Sequence, residues 1–385
     1  MIESIGEEAF NFQDERFADI QMLRYRLPDF ESLTIRQKQL IYCLSEATLF
    51  GRDITFDQFG KYNLRIRKTL EAVYLNFNGD RLEHNFRALE EYLKHVWFAS
   101  GIYHHYACDK FSPLFTEDFF RNEVLAIDSK LLPLNDGESV TSLLNELCPV
   151  IFDSTIFPKR VDKSDGKDIV RSSACNYYDG VSQHEVEEFY AKLKKDGPTN
   201  EAPSYGLNST LVKEGDSIRE DVWKIGGKYS AAIEKIVYWL NRAKDFVEND
   251  QQLHVINLLI RYYETGDLHD FDIYSIEWLR EQEGRIDFIN GFIEVYGDPM
   301  GLKGSWEGIV EYKDLEATHR TQAISANAQW FEDHSPVDPQ FRKAIVKGVT
   351  ANVICAAMLG GDEYPASAIG INLPNADWIR AEHGS

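Results

Sequence analysis

The hydrophobic period of this chain changes near residue 286, and that change limits the folds open to it. Upstream, apolar residues recur at helical spacing. "LTIRQKQLIYCLSEATLFGRD" pairs Thr34 with Gln37 at capping-box spacing, then places Leu40, Ile41, Leu44 and Ala47 on one stripe before a stop at Gly51. "DRLEHNFRALEEYLKHVWFASGI" continues in the same period, and "VSQHEVEEFYAKLKKDGP" is punctuated at both ends, by Ser182 and by Gly197-Pro198. Two long amphipathic helices follow. Ile233, Ile236, Val237, Leu240, Ala243 and Val247 line one face of the first; Leu253, Ile256, Leu259, Ile260 and Tyr263 line one face of the second, which Gly266 suits as a left-handed cap. Downstream, "RIDFINGFIEVYGDPMG" and "SWEGIVEYKD" predict short strands around a Pro/Gly turn. Helical spacing returns from Asp314 to Trp330, and after the loop "HSPVDP" the stretch "KGVTANVICAAMLGGD" reads as a further apolar helix. "ASAIGINLPNADWIR" is extended and turn-like. The class is therefore α+β and helix-rich, with a modest set of strands late in the chain.

At 385 residues the chain exceeds the usual domain of about 100–200 residues, so two lobes are expected. Its 41 basic and 63 acidic residues leave a formal charge of −22, which disfavours nucleic acid as a partner because phosphates need a positive field. No run reaches the roughly 18 apolar residues of a membrane span, and the acidic start "MIESIGEEAFNFQDERF" shows no leader; the expectation is no membrane and a cytoplasmic location. Five well-separated cysteines without a C-x-x-C predict reduced thiols rather than a disulfide framework or a zinc knuckle.

Few stretches carry recognisable chemistry. His184-Glu185 lacks the second histidine one turn on that a zincin helix needs, and Ser182 with Glu185 forms a capping box that accounts for the glutamate. His104, His105, Cys108 and Asp109 cluster in "YHHYACDK", but adjacent histidines are expected to point different ways, and packing is the simpler reading. Neither a phosphate-binding glycine loop nor a G-x-S-x-G elbow occurs. Carboxylate pairs are too numerous to select one, so a glycosidase stays open. Two stretches stand out. In "GFIEVYGDPMG" an extended backbone would put Phe292, Glu294 and Tyr296 on one face, either a half-exposed edge or two working groups aimed into a cleft. In "AIGINLPNAD", Asn372 and Asn375 flank Leu373-Pro374, where proline rules out a central strand. That segment is either an ordinary strand-to-turn junction or an edge that pairs with an incoming extended peptide.

"GFIEVYGDPMGLKGSWEG" together with "AIGINLPNADWIR" resembles the dipeptidyl peptidase III family of zinc exopeptidases. "SACNYYDGVS" and "SYGLNSTLVKE" fit the same family, particularly its bacterial members, and the similarity runs from about residue 15 to the end. The resemblance implies two lobes, one with a small β-barrel core wrapped by helices and one mostly helical. Residues 1–314 would form the β-core lobe, 315–356 would cross into the helical lobe, and 357–385 would return. An oligopeptide substrate would lie in the cleft, paired with a strand formed by Ala368, Ile369, Gly370, Ile371 and Asn372. Glu294 matches the glutamate that grips the peptide's free ammonium, Asn372 and Asn375 match the amides that help it, and Tyr296 matches the tyrosine that hydrogen-bonds near the scissile carbonyl. The family's H-E-x-x-x-H zinc motif is absent from these 385 residues. The resemblance thus implies that one zinc ion belongs to a longer protein and that this chain is its peptide-binding part, inactive alone; the alternative is a natural truncation that binds peptides without cleaving them.

Overall fold

Local hydrogen bonds start the helices where the sequence places them. In the computed structural model, which describes residues 10–346, 352–365 and 369–385, Gln37 N donates to Thr34 Oγ1 at 3.2 Å and Thr34 N to Gln37 Oε1 at 2.8 Å. This reciprocal cap opens helix Ile35–Phe50, and Ser182 with Glu185 opens helix Gln183–Asp196 in the same way. Helix Asp250–Thr265 ends at Gly266 with φ 68°, the left-handed cap expected there. Burial of the apolar stripes sorts most of the long helices into two cores. Helices Ile35–Phe50, Ser230–Ala243 and Asp250–Thr265 pack Leu40, Leu44, Ile236, Leu240, Ile256 and Leu259 together. Helices Asn63–Asn76, His84–Ala99, Glu117–Ala126 and Val140–Phe152 build a second core around Leu70, Leu93, Phe120 and Leu147.

The strands are β1 (Gln13–Phe17), β2 (Ile20–Leu23), β3 (Tyr178–Asp179), β4 (Ser209–Glu214), β5 (Ser217–Val222), β6 (Ile286–Glu294), β7 (Ser305–Lys313) and β8 (Ile354–Gly361). They form a β1–β2 hairpin, a three-stranded β3–β4–β5 sheet and a three-stranded β6–β7–β8 sheet, the last antiparallel throughout. Two expectations are corrected here. Among the described residues none of these sheets closes, so the small β-barrel is not found; closure takes about five strands or more, and none of the sheets exceeds three. The apolar run ending at Gly360-Gly361 is strand β8 over 354–361, paired with β7 through Leu359↔Ile309 and Cys355↔Tyr312, and not a helix. A short unbroken apolar run has no period to separate strand from buried helix, and the two are told apart here by pairing alone. Residues 347–351 of that expected helix lie outside the described residues.

Alternation along β7 gives the sheet two different faces. Trp306, Val310 and Tyr312 point into the helical core, and Trp306 is fully buried with Nε1 donating to the Tyr263 hydroxyl at 3.2 Å. Gly51, expected as a helix stop, has a further reason to be glycine: a Cβ there would lie 2.1 Å from the Trp306 ring. Its φ of −77° is ordinary, and a second helix, Arg52–Gln58, begins immediately after it.

The opposite face carries Glu307, Ile309 and Glu311, with Ile309 packed against Ile289, Ile293 and Leu373. Glu311 is 8% exposed, and burial, reinforced by the Asp287 carboxylate, pushes it from 4.5 up to about 8 against the pull of Lys313. Between those values the folded chain holds a proton that the unfolded chain releases, so this group makes stability fall as pH rises through that window. A melting midpoint that declines from pH 5 to pH 8 is expected, with a shallower decline in Glu311→Gln. An identical slope in that variant would show that Glu311 does not titrate there.

Candidate active site: the Glu294–Asn375 cavity

Strand β6 does not run straight to the candidate site residues. Its register with β7 shifts between Phe292 and Glu294, a bulge, and the strand ends at Glu294. The period-two expectation therefore breaks down. Phe292 is buried opposite Trp306, whereas Ile293, Glu294, Val295 and Tyr296 all reach the wall of one cavity. That cavity has a volume of about 550 Å³ and lies between helix Leu268–Arg280, the β6–β7 loop and the Leu373–Asp377 segment. Its deeper walls are apolar, from Phe271, Trp278, Ile289, Ile293 and Leu373.

Asn375 Nδ2 donates to Glu294 Oε1 at 3.1 Å across 81 residues of sequence. The contact is placed by its neighbour: Leu373, 8% exposed, inserts among Ile289, Ile293 and Ile309 and anchors the chain just before Asn375. Tyr296 stands 81% exposed on the loop with its phenol free to meet a ligand. Asn372 is not gathered in; it is exposed, and Ile369 and Ile371 are exposed as well. Residues 369–372 adopt no strand, and a Cβ added at Gly370 would meet nothing within 4 Å. Ala368 lies outside the described residues.

Further carboxyl groups join the site. Glu307 is 1% exposed in the centre of the sheet, between Gly291 of β6 and Gly361 of β8. Its Oε2 has no hydrogen-bond partner among the described residues. Burial holds its carboxyl well above the usual range, with Glu363, Glu294 and Asp362 each adding to the effect. Burial pushes Asp362 up to about 6, while the Arg160 guanidinium opposes and Glu294 and Glu363 reinforce it. Asp272, 4% exposed on the cavity wall, is pushed up to about 7, again mainly by burial. Sequence reasoning passed over all of these. The signal for Glu307 was present in "SWEGIVEYKD", where strand alternation puts Glu307 and Glu311 on the face opposite Trp306. The mutual repulsion of Glu294, Glu307, Asp362 and Glu363 disfavours further negative charge there.

The histidines lead elsewhere. His184 lies 3.4 Å from Glu188 on an exposed helix face, and His104 Nδ1 accepts from Tyr106 N and Ala107 N. All five cysteines are free thiols. Among the described residues no three of His, Cys, Asp and Glu are grouped so that they could hold a metal ion, so the donors described do not fit a zinc ion.

Comparison with known proteins gives the family. The model for peptidase family M49 matches residues 183–385. Dipeptidyl peptidase 3 of Nematostella vectensis is 22% identical over 330 residues, covering 78% of this chain and 44% of that protein. The human dipeptidyl peptidase 3 is 27% identical over 158 residues, 41% of this chain and 21% of that protein. The chain thus spans less than half the length of these curated relatives. In structure it resembles DPP III from Caldithrix abyssi, with a TM-score of 0.65 at 15% identity over 92% of this chain and 55% of that one, a likeness of fold.

Proposed function

The chain belongs to peptidase family M49, and on that premise we propose that it is the peptide-binding part of a zinc-dependent dipeptidyl peptidase III that releases dipeptides from the N-terminus of oligopeptides in the cytoplasm. The observation that carries this reading is the Asn375–Glu294 hydrogen bond at the wall of a mostly apolar cavity. A carboxylate oriented by an amide, with buried carboxyl groups behind it, favours an ammonium ion over a neutral amide. A ligand anchored by its free N-terminus is held in one register, which places the same peptide bond at the reacting position every time.

Each residue has a distinct part in this reading. Glu294 takes the peptide's ammonium, and Asn375 and Asn372 supply amide oxygens to it. Ala368, Ile369, Gly370, Ile371 and Asn372 pair their backbone with the extended peptide as an added strand. Tyr296 donates its phenol hydrogen to the carbonyl oxygen that becomes negative in the transition state. Residues 1–314 and 357–385 form the substrate lobe, and 315–356 belong to the helical lobe. The exposed Ile324, Trp330, Phe331 and Phe341 accord with a segment that packs against further polypeptide. Zinc chemistry, supplied by ligands outside these 385 residues, is required for cleavage, so this chain binds peptide and does not hydrolyse it alone.

The test is a protein extended through an H-E-x-x-x-H segment. It should release dipeptides from a chromogenic dipeptide substrate only when zinc is bound; a folded, zinc-loaded protein without activity would overturn the assignment. In that protein Tyr296→Phe is expected to lower kcat by about 10²-fold, the size of one lost oxyanion donor, and an unchanged kcat would remove Tyr296 from the chemistry.

A further inference from the structure

The loop that brings Tyr296 to the cavity wall is tied down at one carboxylate. Asp298 is fully buried. Its Oδ1 accepts from Met300 N at 3.1 Å, and its Oδ2 accepts from Leu302 N at 2.8 Å, Lys303 N at 2.9 Å and the Tyr178 hydroxyl at 2.8 Å. Gly301 N closes the turn onto Asp298 O at 3.1 Å, with Gly301 at φ 68°. Lys303, also fully buried, donates from Nζ to the Tyr190 hydroxyl and to Ser209 Oγ at 3.0 Å, with Glu220 Oε1 3.9 Å away. The loop is thereby fastened to β4 and to helix Gln183–Asp196, while Gly301 and Leu302 line the same cavity as Glu294 and Tyr296.

A buried carboxylate is costly unless donors surround it, and four donors surround this one. Asparagine could not replace it. Its single oxygen cannot serve three amides and a phenol, and its NH₂ would face the amide hydrogens of Leu302 and Lys303. Tyr296 itself is mostly exposed, so its place depends on the buried residues of the loop that carries it. We propose that Asp298 is the positioning residue of the peptide-amine site, holding the 295–304 loop so that Glu294 and Tyr296 keep fixed places on the cavity wall. This rests on the reading of that wall as an amine site.

The test uses the 385-residue chain, with calorimetry of tetra-alanine against N-acetyl-tetra-alanine and amide hydrogen exchange across residues 295–304. Asp298→Asn is expected to reduce the preference for the free amine by about tenfold or more and to speed exchange at Met300, Leu302 and Lys303, with helix His84–Ala99 unchanged. The double variant Asp298→Asn/Lys303→Met removes both buried charges; it should regain melting midpoint without regaining the preference. Restoration of the preference in the double variant would mean that Asp298 serves only as counter-charge to Lys303, which overturns the proposal. An intact preference in Asp298→Asn also overturns it. If the unaltered chain shows no preference for the free amine, the amine reading falls by itself, and the exchange data still decide the loop. Unchanged exchange at Met300, Leu302 and Lys303 then refutes the role of Asp298, and faster exchange upholds its hold on the loop.

Discussion

Replacing Glu294 by Gln is expected to weaken binding of a tetrapeptide with a free N-terminus by about 30- to 1,000-fold, the range for truncating one partner of a hydrogen-bonded charge pair. The same peptide with an acetylated N-terminus should bind the variant and the parent chain alike. Gln keeps the size of the side chain and can still accept from Asn375 Nδ2, so the 3.1 Å contact survives while the charge is lost. The neighbours do not compensate. Glu307 is held toward its neutral form by burial and does not line the cavity, so it supplies no replacement charge. Calorimetry of both peptides at pH 7 checks this. Equal losses for free and acetylated peptides would mean that Glu294 shapes the cavity without reading the amine.

Trp306→Ala is expected to cost about 3–5 kcal/mol of stability, the usual penalty for removing a buried large aromatic. Trp306 is fully buried, stacked in depth against Gly51 and Gly308, and bonded through Nε1 to Tyr263. The cavity left behind cannot collapse easily, because helix Arg52–Gln58 is tied to the backbone of strand β7 and of the residue before it by its own hydrogen bonds. Gln58 alone spans from Trp306 N at 2.8 Å to Gly304 O at 3.0 Å. The loss is read as a lower urea midpoint at unchanged slope. Tyr296→Ala, at an exposed position, serves as the control and should move that midpoint little. A loss below about 1 kcal/mol for Trp306→Ala would show that the core repacks around the gap.

Much of the helical architecture was readable before any coordinates. Thr34 with Gln37, Ser182 with Glu185, and the glycine at 266 act within four residues of themselves, and such local bonds form as soon as the helix does. Strands β6 and β7 were readable for the same reason, since alternation is local. Strand β8 was not, because its apolar run pairs with a partner more than forty residues away and carries no period of its own. Neither was the bulge at Phe292–Glu294, an insertion in pairing that no single strand records.

The candidate site divides along the same line. Resemblance singled out Glu294, Tyr296, Asn372 and Asn375. The fold then brought Asn375 to Glu294 and Tyr296 to the same cavity wall, and left Asn372 exposed. It also set Glu307 and Asp362 near Glu294 and Asp272 on the cavity wall, with protonation that depends on how deeply each is buried. The sequence by itself determined helix starts, helix ends and membership of the mixed class, because hydrogen bonds and side-chain periods there span a few residues. Only the tertiary structure decided the open sheet, the bulge and the crowded carboxyl groups, because strand pairing, burial and electrostatic coupling join residues that the chain keeps far apart.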